Sequence, residues 1–178
     1  MNIKTLCLGI LSFGDASGYE IKKQLEGPFR HFYDASFGSI YPALGKLTSE
    51  NMVDCTELAQ QGRPDKKVYS ITTNGRLDLV QQLLERPSQD RMRSDFLVIM
   101  LFAELLPAAH IDELVGQRIE DYRNSLDELC SQGKDDTASA AFVHGFGCAV
   151  YGAALRYLEE NRHRIVGESL RAQAEVAE

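Results

Sequence analysis

Residues 35–71 constrain the fold of this chain more than any other segment. They combine a helical pattern, two strand patterns and a basic turn between the strands. Ile40, Leu44 and Leu47 recur at helical spacing, which predicts a short helix with one buried face. The order of these patterns predicts a helix followed by a β wing.

The start of this helix is predicted at a serine, because a serine oxygen accepts hydrogen bonds from the unpaired N–H groups of the first turn. Ser36 and Ser39 are the two candidates. If Ser39 is the cap, Pro42 falls in the first turn, where its missing N–H removes no helical hydrogen bond. Tyr41 and Lys46 then point outward with Ser39, and short side chains near the helix start suit entry into the major groove of DNA.

The wing is predicted from two segments, 52–58 and 68–72, whose apolar residues alternate with period two. The polar turn between them contains glycine and proline. Arg63, Lys66 and Lys67 lie at or beside its tip. Such point charges suit a phosphate backbone, where they add affinity without reading base sequence. We expect these three residues on phosphates or in the minor groove.

Three motifs in this order resemble the PadR family of bacterial transcriptional regulators. They are Gly18-Tyr19-Glu20-Ile21, Gly38-Ser39-Ile40-Tyr41-Pro42-Ala43-Leu44, and Gly62-Arg63-Pro64-Asp65-Lys66-Lys67-Val68-Tyr69-Ser70-Ile71-Thr72 followed by Gly75-Arg76. The resemblance implies a mainly α fold with a two-stranded β wing. It implies a winged helix-turn-helix over residues 1–86 and an antiparallel helical domain over 87–178 that builds a dimer.

The same resemblance implies that double-stranded DNA is the partner and that Tyr69 packs the wing. The implied DNA-binding residues are Tyr19, Ser36, Gly38, Ser39, Tyr41, Pro42, Lys46, Arg63, Lys66 and Lys67. This chain departs from the family at Gly45, where other members often have a basic or bulky residue. We therefore expect one phosphate contact fewer at this position.

Other helix signals surround these motifs. Residues 2–13 carry apolar side chains at helical spacing, and Ser17-Gly18-Tyr19-Glu20 has the form of a capping box that starts a second helix over 18–26. Thr72 or Thr73 is predicted to cap a fourth helix. The sequence Arg86-Pro87 ends that helix and marks the predicted domain boundary.

Three further helices are predicted over 90–106, 107–130 and 137–166, with a frayed end after Gly167. The first is apolar on nearly all sides, so we expect it to be buried on more than one side. The other two carry apolar seams that predict a two-fold dimer, because two winged helices about 34 Å apart can read an inverted repeat. The predicted dimer residues are Leu6, Ile10, Val115, Ile119, Tyr122, Leu126, Phe142, Phe146, Ala149 and Ala153.

The resemblance also implies a small aromatic effector in some family members. Phe96, Phe102, Phe146 and Tyr151 are the candidate lining residues, although residues at such spacings also fit a plain helical core. Repression by blocking a promoter is the usual mode of the family.

The charge of the chain is uneven. Residues 1–86 contain 10 Lys+Arg and 10 Asp+Glu, whereas 87–178 contain 9 and 16, so the halves carry net charges of zero and −7. A DNA-binding domain is expected to show a basic footprint. The neutral first half therefore keeps open an alternative, a winged helix that binds another protein.

Several other classes are disfavoured. Catalysis is not expected, because the sequence has no nucleophile elbow, phosphate loop or metal motif. The cysteines at 7, 55, 130 and 148 form no CxxC pair and no metal-ligand spacing with the four histidines, so we interpret them as reduced thiols rather than redox sensors, and expect no cofactor. No apolar run reaches the roughly 18 residues of a membrane span, and the N-terminus lacks a signal-peptide pattern, which predicts a cytoplasmic protein.

Overall fold

The computed structural model describes residues 1–27, 37–58, 66–90, 92–131 and 137–176. The chain divides into two compact units, Met1–Asp90 and Arg91–Glu178. Both units are mainly helical, and the sheet lies in the N-terminal unit.

The described part of the N-terminal unit contains four α-helices: α1 (Ile3–Leu11), α2 (Gly18–Glu26), α3 (Ile40–Ser49) and α4 (Thr73–Leu84). Side-chain caps fix three of their starts. Asn2 accepts from the backbone of α1, and Ser17 forms the predicted capping box with Glu20 at α2. Thr72 caps α4 by accepting from the N–H of Gly75.

The wing belongs to a three-stranded antiparallel sheet: β1 (Ala16–Ser17), β2 (Val53–Leu58) and β3 (Lys66–Ile71), in the order β1-β3-β2. The sequence predicted two of these strands. The missed strand, β1, has two residues and pairs Ala16 with Tyr69, so its pairing is decided far along the chain and leaves no alternating pattern.

The core of the N-terminal unit lies between its helices and the sheet. It contains the predicted inner face of α3 and the predicted wing residue Tyr69. Its buried members are Leu6, Cys7, Leu8, Ile10, Leu11, Ala16, Ile21, Leu25, Ile40, Ala43, Leu44, Leu47, Val53, Tyr69 and Leu79. Each of the four helices described above contributes to this core, which fixes α3 on the other three.

The C-terminal unit is built on two long helices. Its elements are α5 (Asp95–Leu101), a 3₁₀ turn (Ala103–Leu105), α6 (Ala108–Ser131) and α7 (Ala138–Val176). Helices α6 and α7 pack antiparallel, since Asp112 near the start of α6 binds Arg162 far along α7, with Oδ1 and Nε 2.6 Å apart. Leu129 near the end of α6 binds His144 near the start of α7.

Helix α5 differs from its prediction in length and burial. It covers seven residues rather than the whole of 90–106, and Phe96 is its only buried side chain. Val98 and Leu101 are exposed in the single chain. The prediction of burial on several sides is therefore not met within one chain.

Helix α7 is longer than its prediction. The expected fraying after Gly167 does not occur before Val176, because side chains of the last turns bind the other end of the unit. The Ser169 hydroxyl, which is fully buried, donates to the Leu106 carbonyl at 2.6 Å. Gln173 donates to the same carbonyl at 2.9 Å.

Helix α7 is also long and apolar enough to cross a membrane by length and composition, with a mean hydropathy of 1.4 over 18 residues. Residues 137–155 contain no Asp, Glu, Lys or Arg, and their alanine, valine and phenylalanine side chains raise the mean hydropathy. The expectation that no segment reaches this threshold is corrected accordingly. None of that window is buried in the single chain.

Candidate nucleic-acid interface

Helix α3 has one buried face and one exposed face, as its sequence predicts. Ile40, Leu44 and Leu47 are almost completely buried. Tyr41 and Lys46 lie on the outer face, where 59% of Tyr41 is exposed. The outer face of α3 is therefore accessible to a partner as large as double-stranded DNA.

The start of α3 combines a 3₁₀ turn with the helix proper. The turn covers Phe37–Ser39, and Ser39 occupies the cap position with helical backbone angles and no capping hydrogen bond from its side chain. Pro42 is the third residue of α3, so it falls in the first turn as predicted. Ser36, the other predicted cap, lies outside the described residues.

The first turn of α2 brings α3 and β3 together. A Cβ added at Gly18 would lie 2.6 Å from Cε1 of Tyr41, so the tyrosine ring packs directly on this glycine. Two residues further, the Glu20 carboxylate binds Lys66 of β3 with Oε1 and Nζ 2.9 Å apart. One helical turn thus positions the aromatic residue of α3 and the first lysine of the wing.

Each predicted DNA-binding lysine that the structure describes faces a carboxylate. Besides the pair at Glu20, Lys67 binds Glu57 at 3.1 Å and Lys46 lies 3.9 Å from Glu50. All three pairs are at the surface. These carboxylates were not among the predicted site residues. Glu20 and Glu57 are distant in sequence from Lys66 and Lys67, so only the fold brings these pairs together.

The remaining predicted contacts occupy the same unit. Tyr19 is exposed in the first turn of α2, and Gly38 is exposed in the turn before α3. Gly45 lies on the outer face of α3, where an added Cβ would meet no atom within 4 Å. Arg63 lies outside the described residues.

The Glu20 carboxylate is held in its charged form. Hydrogen bonds from the side chain and backbone N–H of Ser17, followed by the contact with Lys66, lower its pKa from 4.5 to about 2. A depressed pKa means that the folded state favours the ionised carboxylate more than the unfolded state does. Its stabilising effect is complete above pH 4.5 and is lost as the pH falls toward 2.

We expect Glu20→Gln to reduce stability at neutral pH by about 1 kcal/mol or less, because the carboxylate is exposed and glutamine retains capping ability. The difference between the two proteins should shrink as the pH falls from 4.5 toward 2, where wild-type Glu20 becomes protonated. Urea unfolding at a series of pH values measures it. A difference that is constant across this range would contradict the assigned pKa.

The predicted dimer residues divide into three groups by exposure. Leu6 and Ile10 are buried in the core of the N-terminal unit, and Val115 and Ile119 are buried in that of the C-terminal unit. These four are corrected to core residues, because one chain already covers their side chains. Tyr122 and Leu126 are half-buried, and the exposed members of the set are Phe142, Phe146, Ala149 and Ala153.

The four candidate effector residues have different surroundings. Phe96 is buried in the core cluster of the C-terminal unit, with the Arg118 guanidinium 5.0 Å from its ring centroid. Tyr151 is half-buried, and its ring centroid lies 5.8 Å from that of Tyr122. Phe102 and Phe146 are exposed. Phe96 is thus a core residue, and the effector role of the others remains a prediction.

Comparison with known proteins places this architecture among bacterial regulators. Residues 7–81 match the protein family described as "Transcriptional regulator PadR-like family". The "Negative transcriptional regulator PadR" of Bacillus subtilis is 27% identical over 139 residues, which cover 78% of this chain and 76% of that protein. The match extends beyond the winged helix into the C-terminal unit.

Solved structures share the fold over nearly the whole chain. The PadR-like transcriptional regulator BC1756 from Bacillus cereus is 28% identical with a TM-score of 0.81, covering 94% of this chain and 99% of that one. Bacillus subtilis PadR in complex with operator DNA is 22% identical with a TM-score of 0.78, covering 91% and 98%. Bacillus subtilis PadR in complex with p-coumaric acid has a TM-score of 0.69 at 21% identity, covering 92% and 98%.

Proposed function

The chain belongs to the PadR-like family of transcriptional regulators, and we propose that it binds double-stranded DNA through α3 and β3. The observation that carries this proposal is the arrangement around the first turn of α2. There Gly18 supports the exposed ring of Tyr41, and Glu20 holds Lys66. A helix that offers side chains to a groove beside lysines that reach phosphates is the general geometry of a winged helix on DNA.

The roles of the two elements differ. The outer face of α3 enters the major groove, where Tyr41 contacts base edges and Ser39 lies near the helix start. Lys66 and Lys67 of β3, with Lys46 of α3, contact phosphates and fix the orientation of the protein. Sequence selection therefore depends on α3, and salt-dependent affinity depends on the lysines.

The ion pairs of these lysines are compatible with DNA binding. An exposed ion pair contributes only about 0–1 kcal/mol, because water and salt screen both charges. The Lys66 and Lys67 pairs are exposed or nearly so. Exchanging a carboxylate for a phosphate therefore costs little, while counterions released from DNA favour the complex.

We expect Lys66→Ala combined with Lys67→Ala to weaken binding to all DNA sequences by about tenfold or more. Each lost phosphate contact flattens the dependence of log K on log salt by about 0.9, and a dimer would lose two contacts for each substituted position. Fluorescence anisotropy against specific and unrelated duplexes at several salt concentrations measures both effects.

Arg123→Ala is the matched control, because Arg123 is also a paired surface cation, bound to Glu159 at 2.8 Å in the C-terminal unit. This variant should keep the wild-type salt slope. A wild-type slope for the double lysine variant would remove the lysines from the interface.

We also propose that the regulator is a homodimer that reads an inverted repeat. The uncharged half of α7 supports this assembly, since Phe142, Phe146, Val150 and Ala153 form an exposed apolar stripe at helical spacing. Monomers rarely leave such a stripe uncovered. A second copy would cover it and double the DNA contacts.

The dimer can be tested on α7 itself. Phe146→Asp would place a charge on the stripe without disturbing the core, since 65% of Phe146 is exposed. Sedimentation equilibrium should show wild-type dimers and a shift of this variant toward monomers. Unchanged dimers would place the interface elsewhere.

The proposed location is the cytoplasm, with the stripe of α7 facing protein rather than lipid. The structure of the Bacillus cereus regulator covers 94% of this chain, so most of the 39-residue helix has a counterpart there. We further propose repression by occupation of the operator, with release by a small aromatic effector. The name of the Bacillus subtilis negative regulator and the p-coumaric acid complex support this mode.

A second candidate function is binding of another protein by the winged helix. The ion pairs at Lys46, Lys66 and Lys67 favour it, because they balance the charges that DNA would use. This candidate predicts salt-insensitive or absent DNA binding. Protein binding of this kind requires no positive charge at the wing, so the double lysine variant should keep it. The same variant should lose affinity if the wing binds DNA.

A further inference from the structure

Two cysteines of the C-terminal unit lie side by side. The sulfur atoms of Cys130 and Cys148 are 3.6 Å apart, although the residues belong to different helices, α6 and α7. A disulfide requires about 2.05 Å between sulfurs, so the two atoms would have to approach by only about 1.5 Å. Their spacing in sequence, 130 and 148, gave no sign of this pair.

The surrounding residues fix the two helices close together at this point. His144 Nε2 donates to the Leu129 carbonyl at 2.9 Å. A Cβ added at Gly147 would lie 3.4 Å from Cδ1 of Leu129, so the glycine permits the close approach. Because each cysteine directly follows one of these contact residues, the short sulfur distance is part of the local helix packing.

We propose that Cys130 and Cys148 form a peroxide-sensitive dithiol that closes to a disulfide within one chain. Cys130 is exposed, whereas Cys148 is half-buried beside it. The more accessible thiol meets the oxidant first, and its neighbour resolves the product. The site thus accepts a small hydroperoxide and is reset by a small thiol.

The chemistry balances in two steps. The Cys130 thiolate attacks one peroxide oxygen, the O–O bond breaks, and the leaving oxygen takes up the thiol proton, which yields a sulfenic acid and an alcohol or water. The Cys148 sulfur then attacks the Cys130 sulfur, the S–O bond breaks, and hydroxide leaves with the Cys148 proton as water. The two thiols lose two electrons in total, and the peroxide gains them.

The other cysteines serve as internal controls. Cys7 is buried in the core of the N-terminal unit, and burial raises its pKa to about 11, so it stays a protonated thiol. Cys55 is exposed on β2 in the other unit. The proposal therefore predicts that two thiols out of four react together and that both belong to the C-terminal unit.

The test is treatment of the reduced full-length protein with hydrogen peroxide, followed by thiol alkylation and peptide mass mapping. We expect a linked peptide pair containing Cys130 and Cys148, lighter by two hydrogen atoms, on a chain that migrates as a monomer in a denaturing gel. Dithiothreitol should restore both thiols. Cys130→Ser and Cys148→Ser should each prevent the link, and Cys55→Ser should not.

Three results would overturn the proposal: no linked pair in the wild-type protein, a link between two chains, or oxidation of Cys130 beyond sulfenic acid with Cys148 still reduced. The wild-type map gives the answer even if a serine variant folds poorly. This readout requires no DNA binding, so its outcome is independent of the proposed function.

Discussion

Tyr41→Ala is expected to remove most of the sequence selectivity of DNA binding while leaving unspecific binding nearly unchanged. One base contact in the major groove contributes about 1–3 kcal/mol of discrimination, and a two-fold dimer makes it twice. A loss of at least about 2 kcal/mol, or roughly 30-fold in the ratio of specific to unspecific affinity, follows. The phosphate contacts of the lysines remain, so the salt slope should stay close to that of the wild type.

The support of Tyr41 by Gly18 makes this test specific. The tyrosine ring packs on the first turn of α2 but is largely exposed, so its removal should not disturb the core. Tyr41→Phe is the matched control, because it keeps the ring on Gly18 and removes only the hydroxyl. Competition binding with operator and unrelated duplexes measures the ratio. An unchanged ratio of specific to unspecific affinity for Tyr41→Ala would show that Tyr41 makes no base contact.

Gly75→Ala is expected to destabilise the N-terminal unit by about 2–4 kcal/mol, which places it among the more severe single substitutions. A Cβ at this position would lie 2.1 Å from the Met52 carbonyl oxygen and 3.0 Å from Ile71 Cγ1. The first neighbour is backbone, and the Thr72 N–H and hydroxyl already donate to the same carbonyl. The junction between the wing and α4 would have to shift to admit one methyl group.

Gly45→Ala is expected to have the opposite effect, an increase in the stability of the same unit. Gly45 is exposed in the middle of α3, and its added Cβ would meet no atom within 4 Å. Alanine should therefore stabilise the helix by about 1 kcal/mol. Thermal unfolding followed by circular dichroism should show a clear fall in Tm for Gly75→Ala and a small rise for Gly45→Ala. Equal effects would contradict the close approach at Gly75.

Features with local causes were readable from the sequence. The start of α2 was predicted because Ser17 and Glu20 lie three residues apart, so that the side chain of each accepts a hydrogen bond from the backbone N–H of the other. The buried face of α3 followed from the spacing of its apolar residues. Thr72 was one of two candidates for the α4 cap, and the structure selects it. In each case the residues that carry the signal lie within about two turns of helix.

Features with distant causes were not readable. The end of α7 depends on a bond between Ser169 and Leu106, and β1 exists because β3 pairs with it. The pairing of Lys66 with Glu20 likewise joins residues 46 positions apart. Long-range contacts of this kind leave no periodic pattern in the chain. The ion pairs that neutralise Lys66 and Lys67 could therefore be recognised only in the folded structure.

The most direct test of DNA recognition is binding of the purified protein to a labelled duplex from the region upstream of its own gene. Unrelated DNA serves as competitor, and salt concentration is the variable. We expect binding that survives the competitor and weakens steeply as salt is raised, since α3 selects the sequence and the lysines supply the charge contacts. Absence of binding at low salt, both there and in a selection from random genomic fragments, would contradict DNA recognition and favour the protein-binding winged helix.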